Sequence, residues 1–338
     1  MTADDRAGAA EVARRVRELL RTSQLDLPPI GSGATAGRWL TLAALARHDV
    51  SEARIAEAHV DAVQIRGEAG GPTGHDRLWG VWASETPRLR VTAARTGEGR
   101  LRLEGRKGFC GGAGIVDHAL VTVYVDGAPA LVAVPVDDLG ADRIDTSGWV
   151  TPALADTSTA TVDLTGIEVG DDAIIGGPGW YTERPGFWHG AIGPAACWAG
   201  AAQGLVDHAV AHPPTDAHGR AHLGAMVARS YAFDSVLAHA GDEIDAAVRP
   251  AADAGAVDGP SPAGGDTATA AQRRALAVRH LVDVGCAEVQ ERFARALGPR
   301  PLAADVDVIA RNAALSLYRR QCHAERDLEV LGDLSAPA

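Results

Sequence analysis

The 338-residue chain carries 44 Asp and Glu against 32 Lys and Arg, a formal net charge of −12, with 46% hydrophobic residues. That length and hydrophobic share support two or three packed units, and the negative charge argues against coating nucleic acid or an anionic membrane, because the summed field repels phosphate. Residues 1–16 lead straight into an amphipathic pattern, and no stretch is apolar enough to span a bilayer, so the expectation is a cytoplasmic protein without membrane insertion.

In chain order, residues 7–22 place Val12, Val16, Leu19 and Leu20 on one helical face and arginines on the other. Thr35 to Ala46 and Ser51 to Ile65 repeat the pattern, with Ser51 as the expected N-cap. From Leu78 to Val169 the texture turns to short runs of alternating or β-branched residues separated by Gly, Pro and Asp, which predicts an antiparallel β-unit. After Gly176 the helical texture returns in four segments, 182–211, 217–248, 267–297 and 304–331, and the Ala-, Gly- and Pro-rich stretch 251–266 reads as a flexible loop. The expected architecture is α+β: an N-terminal helical domain at 1–77, a central antiparallel β-domain at 78–178, and a C-terminal four-helix bundle at 179–338. The widely spaced Cys110, Cys197, Cys286 and Cys322 predict reduced, packed thiols rather than disulfides. Asp216, His218 and His222 lack a His-Glu-x-x-His frame, so no metal is expected.

Three stretches, in this order, resemble the acyl-CoA dehydrogenase superfamily. Gly105-Arg106-Lys107-Gly108-Phe109-Cys110-Gly111-Gly112-Ala113, followed by Asp117-His118-Ala119-Leu120-Val121, is similar to that family's "G-x-K-x-(F/W)-I-(T/S)-(G/N)-A…A-D-x-x-L-V" hairpin. Trp149 through Val169 is similar to its strand leading to "d-x-V-x-V-P", and Arg184-Pro185 to Gly193 to the helix that opens its bundle. The resemblance implies an FAD cofactor between β-domain and bundle and α,β-desaturation of an acyl thioester such as an acyl-CoA.

Carried over residue by residue, the resemblance makes Phe109, with Cys110 beside it, the aromatic wall of the flavin. The hydroxyl of the family's motif is missing at Gly111. Trp82 and Ser84 stand where the family has a "T-E-P" turn, but the Gly-Ser that would follow is absent. The usual C-terminal Glu-Gly base is absent too: Arg319 and Arg320 fall at its place, in what reads as uninterrupted helix. Glu183, directly before Arg184, matches the minority arrangement with the base on the first bundle helix, and an acidic first turn also suits the helix dipole without any catalysis. His323 belongs to a dense C-terminal set with Arg320, Glu325, Arg326 and Asp327, read equally as a solvated face or as a grip on an oxygenated intermediate. Gly298 sits where the family reaches a neighbouring subunit's cofactor, which implies a homodimer or homotetramer. The first functional reading is thus an FAD-dependent dehydrogenase. A flavin monooxygenase or oxidase acting on a non-thioester metabolite is the alternative, and a catalytically degenerate paralogue the third.

Overall fold

A computed structural model describes residues 3–74, 76–97, 99–248 and 267–336, so the loop expected at 251–266 lies outside the described residues. Helices α1 (Ala3–Arg21), α2 (Thr35–His48) and α3 (Val50–Glu68) come first. Nine strands follow: β1 (Trp79–Trp82), β2 (Val91–Arg95), β3 (Arg100–Cys110), β4 (His118–Val125), β5 (Ala128–Pro135), β6 (Ile144–Asp145), β7 (Ala160–Asp163), β8 (Glu168–Gly170) and β9 (Ile174–Ile175). The remaining helices are α4 (Trp180–Glu183), α5 (Pro185–Gly190), α6 (Ile192–Ala211), α7 (Ala217–Val248), α8 (Ala268–Leu297), α9 (Pro299–Ala304), α10 (Val306–Tyr318) and α11 (Glu325–Ser335). By contacts the chain divides into two units, one of Met1–Asp26 with Arg54–Arg184, the other of Leu27–Ala53 with Pro185–Ala338.

The first unit is built on a mixed sheet, not the wholly antiparallel one expected. Strand β4 pairs antiparallel with β5 on one side and parallel with both β1 and β2 on the other. The parallel pairing of β1 with β4 is possible because the intervening chain, which holds the β2–β3 hairpin, is long enough for a crossover. Helix α1 packs as its pattern predicts, with Val12 and Val16 buried. It is pinned to the sheet through Arg17, whose Nη2 donates to Asp117 Oδ1 at 2.7 Å and to the Ile115 carbonyl at 2.8 Å. Asp117 also accepts the Leu78 N–H at 2.7 Å. Burial opposes ionisation of this carboxyl, but the Arg17 and Leu78 hydrogen bonds prevail and hold it below the usual carboxylate range.

In the second unit α6 is buried along most of its length and packs against α2, α7, α8 and α10. Helix α2 has no side-chain cap of its own at Ala34. Asp245 of α7 supplies one from a distance, accepting the Gly33 N–H at 3.0 Å and the Thr35 N–H at 2.9 Å. The cap of α3 differs from expectation: Asp49, not Ser51, accepts the Ser51 and Glu52 N–H groups, because α3 begins only one residue after α2 ends. Two of the four expected long helices are interrupted. Pro185 excludes Arg184 from a helix, separating α4 from α5. After Tyr318 a single 3-10 turn (Arg319–Gln321) and Ala324, at φ +52°, separate α10 from α11, so the uninterrupted helix expected over 304–331 does not exist.

Close approach of α6 to α2 depends on Gly200, where a Cβ would run into the Ala43 carbonyl. Gly200→Ala is expected to cost about 1–3 kcal/mol in urea unfolding, the usual range for overpacking. Gly224→Ala, on an open face of α7, should instead be neutral or slightly stabilising through helix propensity.

Candidate functional site

The hairpin read from sequence is the most strained segment of the first unit that also presents an aromatic side chain outward. Strand β3 pairs with β7 through Lys107↔Val162 and then Cys110↔Ala160, so one extra residue is accommodated between them as a bulge. Phe109 lies in that bulge at φ +57°, a left-handed conformation that a bulky residue adopts only when its surroundings impose it. The surroundings are identifiable. The Lys107 side chain is fully buried, and its ammonium donates to Glu85 Oε1 at 2.8 Å, the Thr122 carbonyl at 3.0 Å and Thr122 Oγ1 at 2.6 Å. Cys110 is buried on the same side, its Sγ 3.3 Å from the Lys107 carbonyl. With both neighbours turned inward, Phe109 is left 60% exposed.

Trp82 and Ser84 hold this hairpin from behind. Trp82 is buried and its Nε1 donates to the Gly111 carbonyl at 3.0 Å, while the Ser84 hydroxyl donates to the Gly108 carbonyl at 3.0 Å. Cys110 faces the interior, so only its backbone borders the presented surface. From the other side, the Thr157 carbonyl accepts the Gly112 N–H at 2.9 Å. Thr157 in turn donates its hydroxyl to the Leu154 carbonyl at 2.8 Å and meets Thr159 Oγ1 at 3.0 Å. Beyond Gly112 a cavity of about 510 Å³ opens in the same unit, lined by Ala9, Ala13, Ala113, Ile115, Ile144 and Ser158 among others, with no charged side chain in its lining.

The three residues expected to be catalytic lie in other settings. Glu183 is exposed at the end of the four-residue α4, its carboxylate folded against Gly179. It stands in solvent, without the partial burial that a proton-abstracting carboxylate set against its substrate would have. Arg184 does not open a bundle helix but ends α4 in the first unit. It is buried, 2.5 Å from Glu68 Oε2, with its guanidinium 5.2 Å from the Trp180 ring centre. His323 has a 69% exposed side chain, 3.4 Å from Asp327 Oδ1. The solvated-face reading of the C-terminal set is therefore the one its exposure supports. Gly298 caps α8 at φ +71° with open space around it.

Sequence reasoning missed the buried cations. Arg279 of α8 donates to the Ala191 carbonyl at 2.7 Å and the Gln321 carbonyl at 2.5 Å, with its guanidinium 4.8 Å from the Trp198 ring centre. It ties the α5–α6 junction to the break after α10. Arg319, 2.7 Å from Asp283, holds the same break from the other side. In the first unit Arg54 of α3 reaches Gly111. The available signal was an arginine inside a buried run: Arg279 between Val278 and Val282, Arg54 between Ala53 and Ile55.

Among the described residues no group of His, Cys, Asp and Glu side chains is arranged to hold a metal ion, and no helix is long and apolar enough to cross a membrane. All four cysteines are free and buried. Burial pushes the Cys110 thiol up to about 12 despite the nearby Lys107 charge. Native protein at pH 8 should therefore leave Cys110 unmodified by a thiol-specific disulfide reagent until denaturant is added. Modification of Cys110 in the native state would show that the back of the hairpin is open to solvent.

Neither protein-family profiles nor curated protein sequences match the chain. Solved structures do. The nitrososynthase of Micromonospora carbonacea var. africana aligns at a TM-score of 0.76 and 17% identity, covering 100% of this chain and 98% of that one. The Paenibacillus sp. A11-2 protein TdsC, a dibenzothiophene monooxygenase solved with FMN and indole, aligns at 0.73 and 15% identity over 98% and 96% of the two chains. The 3-HSA hydroxylase of Rhodococcus sp. RHA1 aligns at 0.70 and 14% over 98% and 96%. With coverage this complete at identities this low, the chain has the acyl-CoA dehydrogenase fold in a strongly diverged sequence.

Proposed function

We propose that this protein is a flavin-dependent monooxygenase that oxidises a non-thioester metabolite. One observation carries the reading: the β3 bulge spends backbone strain, and three hydrogen bonds to a buried ammonium, on presenting the exposed ring of Phe109. An aromatic face held out in this way suits stacking on a planar heterocycle. The hairpin residues fit a flavin there, with Phe109 as the wall and the backbone of Gly111 beside it. FMN is favoured over the FAD implied by the sequence resemblance, because TdsC was solved with FMN.

The thioester dehydrogenase reading loses its base. No Glu-Gly follows Arg311-Asn312, and Glu183 is exposed. The compared proteins carry the names nitrososynthase, monooxygenase and hydroxylase, which supports oxygen chemistry in preference to desaturation. When bound, reduced flavin supplies the electrons that activate dioxygen. The work of the chain is to hold the ring against Phe109, keep water from the apolar cavity and orient a small neutral substrate. The resemblance at Gly298 extends the proposal to a closed homodimer or homotetramer, and light scattering returning about 70 or 140 kDa would support it.

Flavin binding and oxygen use test the reading. The protein should bind FMN or FAD, raise its melting temperature on doing so, and consume oxygen when supplied with chemically reduced flavin. Phe109→Ala should weaken flavin binding on the order of tenfold without lowering the melting temperature of the apoprotein. Failure to bind either flavin removes the proposal, and bleaching of bound flavin by an acyl-CoA would return the dehydrogenase reading in its place.

A further inference from the structure

Position 111 is the place on the hairpin where the sequence resemblance leads one to expect a hydroxyl, and the structure shows what stands there instead. Gly111 is not left-handed, unlike its neighbour Gly112 at φ +74°, so its backbone does not call for glycine. Nor does the space. A Cβ on Gly111 would stand 3.4 Å from Nη2 and 3.8 Å from Cζ of Arg54, and 3.9 Å from Thr159 Oγ1, all ordinary contacts. They set the Arg54 guanidinium directly beside position 111.

Arg54 is not a loosely placed surface group. It is half-buried on α3, between the buried Ala53 and Ile55. The next residue seats the helix on the hairpin, since Ile55 Cδ1 lies 3.3 Å from where a Cβ on Gly112 would be. Thr159 is oriented as well. The single proton of the Thr157 hydroxyl goes to the Leu154 carbonyl, so Thr159 must donate in their 3.0 Å contact and its oxygen is left to accept. A fixed cation and an oriented acceptor thus converge on the hairpin two residues beyond Phe109.

We propose that Arg54 is the polar partner this chain offers to its flavin in place of a side chain at 111, and that its fixed charge favours the reduced, anionic flavin over the oxidised form. The inference rests on the flavin reading above. The physical reason is electrostatic. Reduction lets the flavin ring carry a negative charge, and a guanidinium held by the fold stabilises that state without reorganising. By linkage, a preference for the reduced form is the same quantity as a rise in the bound flavin's reduction potential.

The test uses the full chain and FMN, with dissociation constants measured for oxidised FMN and, anaerobically, for dithionite-reduced FMN. Wild type should bind the reduced form more tightly. Arg54→Met should erase on the order of tenfold of that preference by weakening reduced-FMN binding more than oxidised-FMN binding, and Arg54→Lys should keep most of it. Gly111→Ser, whose hydroxyl oxygen can accept from the guanidinium in competition with the flavin, should bind oxidised FMN with a reduced-form preference below wild type. An unchanged ratio in Arg54→Met, or equal weakening of both forms, overturns the inference. If Arg54→Met does not fold, an unchanged ratio in Gly111→Ser overturns it instead. Wild type that binds neither form refutes the flavin reading itself, a result distinct from the other two.

Discussion

The candidate site depends on one buried charge. Lys107 places an ammonium inside the first unit, where an unpaired cation would be prohibitively costly, so the chain around it must supply acceptors for all its protons. Glu85 and Thr122 do so with a carboxylate, a carbonyl and a hydroxyl, and the Thr122 hydroxyl is itself fixed by donating to Glu85 at 2.7 Å. That network sets which residue of β3 points inward. With Lys107 and Cys110 both inside, the extra residue of the bulge leaves Phe109 outside at a strained φ. Trp82 and Ser84 then clamp the Gly111 and Gly108 carbonyls from behind.

The second unit uses a buried arginine in a comparable way. Arg279 satisfies the Ala191 and Gln321 carbonyls left unpaired where helices break, over the face of Trp198. Both units thus join irregular backbone to regular elements through a cation that few solvent molecules reach. The exposed ion pairs, such as His323 with Asp327, do less, because water screens them and their side chains lose entropy in pairing. Charge density along the sequence therefore pointed to the C-terminal helix, while the charges that organise the structure lie singly inside apolar runs.

For function, the absence of a buried carboxylate at Glu183 and the presence of a cation at Gly111 point the same way. Proton abstraction from a thioester needs a carboxylate held against the substrate, and Glu183 is exposed at the end of a one-turn helix. In the proposed flavin site, holding a reduced, negatively charged ring needs a positive group nearby, and Arg54 lies beside position 111.

What the sequence determined by itself was periodicity and order: helices, then strands, then helices, with the hairpin around Phe109 recognisable from Lys107 to Ala113. These are local properties, written in side-chain alternation and in turn residues. Only tertiary structure decided that the sheet is mixed, that α2 packs with the later helices, and that Arg184 belongs with the strands. It likewise decided that Trp82 and Ser84 hold the hairpin carbonyls, since burial and hydrogen-bond partners come from residues distant in the chain. Glycine at 111 is the clearest case. Its sequence shows only a missing hydroxyl, and only the fold sets an arginine from 57 positions earlier beside it.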